Sequence, residues 1–343
     1  MLIDDFDYEL PDELIAQAPL EKRDASRMLV VDRGEQKWTD TEFAHFADYL
    51  QPNDVVVVNN SRVIPARLKG HRQSSGGKVE LFLVRELRSG VWETLLRPGA
   101  RLKSGSLIDL AEGATAEVLD EPGTEIRQIR FHTREPFDEL LNRIGSTPLP
   151  PYIKRATGVT NSDRERYQTI YSKERGAIAA PTAGLHFTSA ILGQIAAKAT
   201  LVEVTLHVGY GTFEPVRVNE VADHRVSAER FEISENAANT INESKKAQGR
   251  VIVVGTTTMR ALETSTTEDG CVRAGTGEAH LTIKPGYKFR VADALLTNFH
   301  LPRSSLLILV SAFAGTDFIL HAYRHAVAQR YRFYSYGDCM LIL

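Results

Sequence analysis

The sequence predicts an α/β fold, a mixed sheet with flanking helices, that carries an inserted all-β barrel domain. Three observations lead there. Asp54-Val55-Val56-Val57-Val58 is an unbroken β-branched run of the kind buried on both faces of a sheet. From Arg62 to Phe131, short alternating runs are separated by Ser74-Ser75-Gly76-Gly77, Ser89-Gly90, Ser104-Gly105 and Pro122-Gly123. Such evenly spaced turn signals without a helical period point to a small barrel or sandwich. From Thr188 onward, strand-like and helix-like runs alternate, as in sheets flanked by helices.

The elements follow in order. Residues 28–31 and 54–58 read as short buried strands, the second ending in the turn-prone pair Asn59-Asn60. The α/β part is split in sequence, residues 1–61 plus 148–343, with the barrel at 62–147. Glu135 to Gly145 reads as a helix. Pro148, Pro150 and Pro151 stiffen the exit, because proline fixes φ and cannot continue a helix. Thr188 caps a helix to about Ala199, and Leu201 to Val208 is a strand. Ser234 begins a helix to about Gln248, which Gly249 stops. Arg250 to Gly255 is a buried strand, and Thr256-Thr257-Thr258-Met259-Arg260 turns it into a further helix. Leu306 to Phe313 reads as a strand and Asp317 to Gln329 as a helix.

Composition bounds the function. A chain of 343 residues with 43% hydrophobic content can bury a sizeable core, in two domains. The net charge of -3 announces no nucleic acid. Locally, residues 60–108 hold ten Lys/Arg against three acids, a balance of +7, whereas the first thirteen residues carry six acids and no base. That asymmetry fits a polyanion-facing surface, or simply solvated strand faces. Cys271 and Cys339 form no C-x-x-C pair, which argues against a disulfide framework or thiolate cage. The acidic start is not a secretory leader, and the longest apolar stretch, Leu306 to Gly315, is too short for a bilayer. A soluble cytoplasmic monomer without membrane contact is the expectation.

Three short segments concentrate small residues and imidazoles. They are Ala179-Ala180-Pro181-Thr182-Ala183-Gly184-Leu185-His186-Phe187, Leu206-His207-Val208-Gly209-Tyr210-Gly211-Thr212 and Thr297-Asn298-Phe299-His300-Leu301-Pro302. Small residues let a ligand approach the backbone, so the three read as one composite site. Gly255-Thr256-Thr257-Thr258 lies between a strand and a helix, where an anion could bind with Arg260 in reach. Helix capping explains the same threonines. A dinucleotide reading of His207 to Gly211 fails, because Glu214 stands where the third glycine belongs. His321 and His325 are spaced i, i+4 but have no H-E-x-x-H glutamate, so no metal is expected. Two stretches interleave arginine with tyrosine: Tyr152 to Tyr171 and Arg324 to Tyr336. They fit either a core or base-stacking platforms.

Taken together, these segments resemble the S-adenosylmethionine:tRNA ribosyltransferase-isomerases of queuosine synthesis. The resemblance is carried by Asn60-Ser61-Arg62-Val63-Ile64-Pro65-Ala66-Arg67-Leu68, Leu149-Pro150-Pro151-Tyr152-Ile153 and Gly176 to Phe187. It continues through Leu206 to Phe213, Gly255 to Arg260, Leu296 to Pro302 and Tyr331-Arg332-Phe333-Tyr334-Ser335-Tyr336-Gly337-Asp338. Two departures stand out: Arg225-Val226-Ser227-Ala228-Glu229 replaces a usual Met-His-Ser-Glu, and Cys339 replaces a usual alanine. The first departure removes a histidine, so that loop is given no catalytic weight.

The resemblance implies that S-adenosylmethionine is consumed as a co-substrate. Its ribosyl group moves to 7-aminomethyl-7-deazaguanine at the tRNA wobble position and is rearranged, giving epoxyqueuosine while adenine and methionine leave. Proton transfer is then expected of His186, His207 and His300, whose residue type titrates near neutrality, with Asp338 orienting a base or holding a cation. Thr182 and Arg260 would hold polar groups of the cofactor, and Asn298 a purine edge. Arg62, Ala183, Gly209, Gly211 and Thr256 complete the expected substrate contacts, and Arg67, Arg97, Lys103, Arg155 and Arg332 the expected RNA contacts. Two rival classes stay open here. An ordinary methyltransferase lacks its Gly-rich loop, and an RNA-binding module would not need the imidazole clusters.

Overall fold

The protein is described from a computed structural model covering residues 1–99, 102–156, 158–213 and 215–343. Arg101, counted in the basic stretch, lies outside them. The chain opens with β1 (Arg27–Asp32), β2 (Lys37–Glu42) and β3 (Val55–Asn59), and leaves the sheet through β4 (Ser61–Val63). β5 (Arg67–Arg72), β6 (Lys78–Arg88), β7 (Val91–Arg97), β8 (Leu107–Asp109), β9 (Thr115–Val118) and β10 (Ile126–His132) close an antiparallel barrel. Alternating residues fill it: Leu68, Leu81, Leu83, Ile108, Ala116, Val118 and Ile129 are fully buried. α1 (Phe137–Ile144) and α2 (Asn161–Arg166) follow, and β11 (Glu174–Ala177) returns beside β4, parallel to it.

The remaining elements are α3 (Ser189–Lys198), β12 (Thr200–Leu206), β13 (Glu229–Ile233), α4 (Glu235–Lys246), β14 (Val251–Val254), α5 (Thr256–Ser265), β15 (Gly275–Ala279), β16 (Ala294–Asn298), α6 (Ser305–Ala314), α7 (Thr316–Ala328) and β17 (Cys339–Ile342). The large sheet runs β15-β13-β12-β3-β14-β16-β17-β1-β2, with β12, β3, β14 and β16 parallel at its centre. The two-residue period sorts its side chains. Val55 and Val57 pack with Ala237, Ile241 and Met259 from α4 and α5. Val56 and Val58 face the other way, toward Phe43, Phe46, Ile191 and Ile195. Layers on both sides explain why the central strands are apolar throughout.

One expectation is corrected. Leu306 to Phe313 is helix α6, not a strand. Its apolar run is buried nearly all round, so periodicity carried no signal. The deciding signals sit at its ends: the Ser304 hydroxyl caps the Leu307 N–H, and Gly315 at φ 91° turns the chain into α7. α6 and α7 meet at 116°, and among the described residues no single helix is long and apolar enough to cross a membrane. The sequence reading assigns no strand at β2, β11, β13, β15, β16 or β17. β17 is four residues long and pairs with β16 on one side and β1 on the other, contacts no local pattern announces.

Candidate active site

The parallel strands deliver their carboxyl ends to one edge of the sheet, where open α/β sheets hold ligands. Val208 follows β12, Gly255 follows β14, and Asn298 ends β16. Gly255 takes φ 89°, a left-handed geometry that lets the chain swing from strand straight into α5. The segment Ala179 to Ala183 closes over this edge and runs into a short 3-10 turn, Thr182–His186. That turn packs tightly: a Cβ on Gly184 would stand 2.1 Å from the Tyr171 hydroxyl oxygen.

Two connected cavities open here. A narrow inner pocket of about 70 Å³ is lined by Thr182, Ala183, Thr256, Arg260, Asn298 and His300, among others. An outer cleft of about 1000 Å³ takes in Gly211, Arg217, Arg260, Thr282, Arg303 and Ser304. Tyr152, Glu229, Arg260, Leu306 and Tyr334 border both. The Tyr152 and Tyr334 rings meet edge to face, 3.9 Å between centroids, and the Tyr152 hydroxyl pairs with Ser335 Oγ.

The imidazoles are placed unequally. His300 lines the inner pocket, its Nε2 2.9 Å from Thr297 Oγ1, and burial pushes its pKa down to about 3. His186 lies behind Asn298 and lines neither cavity. Its Nδ1 is 2.8 Å from Ser26 Oγ, and its Nε2 accepts from Asn298 Nδ2 at 3.2 Å. Burial, then Arg23 and Arg332, push its pKa down to about 3. His207 also lines neither cavity. Its ring packs on Gly176, its Nδ1 is buried without a hydrogen bond, and burial followed by Arg230 lowers its pKa. These imidazoles are neutral near pH 7.

Asp338 is buried and holds backbone: Oδ1 accepts from the Arg27 N–H at 3.0 Å and Oδ2 from the Arg332 N–H at 2.8 Å. Burial raises its pKa. Arg260 is committed to the protein. Its guanidinium donates to Glu229 Oε2 at 2.5 Å and to the carbonyls of Ala279, Ser227 and Leu281. Glu229 Oε1 in turn accepts the Gly209 N–H at 2.9 Å, so this pair ties β13, α5, β15 and the loop after β12 together.

Among the proposed RNA contacts, Arg97 and Lys103 are exposed on the barrel, while Arg67 is 3.4 Å from Glu80. Arg155 makes a bidentate pair with Asp163, and Arg332 donates to the Ala18 carbonyl. Arg62 is exposed on β4, away from both cavities. Tyr331, Phe333 and Tyr167 are fully buried core residues, so among the described residues of the two arginine–tyrosine stretches Tyr152 and Tyr334 are the aromatic side chains that combine partial exposure with a place in the cleft. Among the described residues, no group of three or more His, Cys, Asp or Glu is placed to hold a metal ion.

Glu229 closes the Arg225-to-Glu229 segment to which the sequence reading assigns no catalytic weight, yet it borders both cavities. A signal was available: Glu229, Phe231 and Ile233 alternate along β13 and share its buried face, so the carboxylate occupies a core-facing position.

Comparison with known proteins bears on this geometry. The chain matches the model of the family described as queuosine biosynthesis protein over residues 3–342. It is 48% identical over 345 residues to the S-adenosylmethionine:tRNA ribosyltransferase-isomerase of Desulforamulus reducens. It is 49% identical over 344 residues to the protein of the same name from Trichlorobacter lovleyi. Both matches span 100% of each chain. It is also similar to the crystal structure of S-adenosylmethionine tRNA ribosyltransferase from Thermotoga maritima, with TM-score 0.56 and 36% identity over 99% of this chain and 100% of that one.

Proposed function

The chain belongs to the queuosine biosynthesis protein family, and we infer from this that its two-part cleft is where the family's two substrates meet. The enzyme transfers and isomerises the ribosyl moiety of S-adenosylmethionine onto 7-aminomethyl-7-deazaguanine at the tRNA wobble position. Epoxyqueuosine-tRNA forms, and adenine and methionine are released. The observation that carries the site assignment is the single edge at which Gly255, Asn298, His300 and the Ala179 to Ala183 segment converge.

In this reading, the inner pocket takes part of the diffusible cofactor and the outer cleft takes the extruded nucleotide. His300, Asn298, Thr182, Ala183 and Thr256 touch substrate. His186 and Asp338 hold the end of β16 in place, through Asn298 and the neighbouring backbone. Glu229 and Arg260, paired with one another, form the polar wall that the two cavities share. No metal enters the proposal, and the chain acts as a cytoplasmic monomer. Purified enzyme given the cofactor and tRNA bearing the aminomethyl base should release adenine and methionine in equal amounts. Formation of S-adenosylhomocysteine instead would mean methyl transfer and refute the assignment.

The barrel, residues 62–147, is read as the unit that meets the RNA backbone, with the exposed Arg97 and Lys103 at phosphates. Neutralised phosphates release counterions, so tRNA affinity should fall steeply as salt rises. Exchanging both residues for glutamate should weaken binding and flatten that slope. Filter binding across a salt series checks this, and an unchanged slope in the double variant removes the barrel from the interface.

A further inference from the structure

We propose that the inner pocket recognises the exocyclic amine of the cofactor's adenine, with Asn298 Oδ1 and Thr257 Oγ1 facing that edge. The proposal rests on the ribosyl-transfer reading above and names what one of its two cavities holds.

The argument begins with a fixed amide. Asn298 is 2% exposed, and its Nδ2 donates to His186 Nε2 at 3.2 Å, to the Tyr334 carbonyl at 3.2 Å and to the Asp338 carbonyl at 3.4 Å. The Ser26 hydroxyl donates to the Arg23 carbonyl at 3.1 Å, so it accepts from His186 Nδ1. The proton on His186 therefore sits on Nδ1, and Nε2 is an acceptor that only the nitrogen end of the amide can meet. With Nδ2 bound, Oδ1 is left as a pure acceptor. It is buried and has no hydrogen-bond partner. Thr257 Oγ1, in the first turn of α5, is likewise buried and unpartnered. Both residues line the inner pocket. Tyr167, whose hydroxyl is also buried without a partner, lines the same pocket. Buried polar atoms are nearly always paired, and of these three atoms Asn298 Oδ1 can only accept, so it calls for a ligand that brings an N–H donor, which a neighbouring hydroxyl can also accept.

Both substrates carry such donors. The adenine has its exocyclic amine, and the deazaguanine has a ring N–H and a 2-amino group. Size and tethering favour the first. The inner pocket holds about 70 Å³, less than a whole base fills, so it takes in the amine-bearing edge of a ring while the rest of the base lies toward the outer cleft; small residues on its walls at Ala179, Ala180, Ala183 and Gly255 let that edge approach backbone. A nucleotide tethered to RNA enters through the far larger outer cleft.

The test compares kcat/KM for S-adenosylmethionine with that for an analogue carrying unsubstituted purine in place of adenine. Wild type, Thr257→Val and Asn298→Ala are assayed with the same tRNA. Thr257→Val is nearly isosteric at a half-buried position, so it keeps the proposal testable should Asn298→Ala fail to fold. Wild type should prefer the natural cofactor by about 10- to 100-fold. The preference should shrink several-fold in Thr257→Val and vanish in Asn298→Ala. Because purine and adenine differ as leaving groups, the change between enzymes is the readout. A preference identical in all three enzymes overturns the proposal. So does a result in which Thr257→Val alters selection against tRNA whose wobble base lacks its 2-amino group while leaving the cofactor preference intact. Adenine and methionine release by wild type is measured in the same reactions, so failure of this proposal is separable from failure of the ribosyl-transfer reading.

Discussion

Glutamine in place of Glu229 is expected to lower kcat/KM by about 10²–10³, the usual cost of removing one preorganised electrostatic partner from a reacting site. The reason is location. Glu229 is 4% exposed, yet it borders both the inner pocket and the outer cleft. The change has a structural side as well. Glu229 is paired with Arg260 at 2.5 Å, and breaking a buried ion pair on one side costs about 3–5 kcal/mol of stability. A second variant separates the two effects. Glu229→Gln combined with Arg260→Met removes the stranded charge and should recover most of the stability. The rate should stay low, because the carboxylate is still missing. Denaturant melts and steady-state kinetics on both variants check this. Recovery of activity together with stability would show that the pair only holds the fold.

The second large effect is acid lability. His186 and His300 are 3% and 5% exposed, and burial holds both near a pKa of about 3 in the folded protein. In the unfolded chain an ordinary histidine titrates near 6.5. Between those values the unfolded state binds more protons, so stability is intact above about pH 6.5 and falls as the pH drops toward 3. At pH 5, linkage gives a loss of about 2 kcal/mol for each imidazole. Against a typical total of about 5–15 kcal/mol, the two together are substantial. Urea unfolding at pH 7 and pH 5 measures the loss. His186→Gln and His300→Gln should each shrink the pH-dependent part by about 2 kcal/mol, whatever they do to stability at pH 7. A wild type equally stable at both pH values would mean that these rings accept protons in place.

Much of the architecture was legible because it is written locally. The β-branched run at 55–58, the Thr188 and Ser234 caps and the glycine punctuation of the barrel each act within a few residues. α6 was misread because a helix buried on nearly every side loses its period, leaving only Ser304 and Gly315 to mark its ends. The site was legible as a set of segments but not as an arrangement. Small residues and imidazoles marked Ala179 to His186 and Thr297 to His300, while nothing local showed that His186 would turn its Nε2 toward Asn298 behind the pocket.

The chain order of residue types determined, by itself, the layered sheet, the barrel and the family, since propensity, periodicity and motif spacing act over short range. Which polar atoms end up paired was decided only by the tertiary structure. Arg260 looked free to meet a ligand and instead clamps Glu229 and three carbonyls, while Asn298 keeps an acceptor unmet. A buried group must find its partner wherever the folded chain brings one, and those partners arrive from strands and loops far apart in sequence.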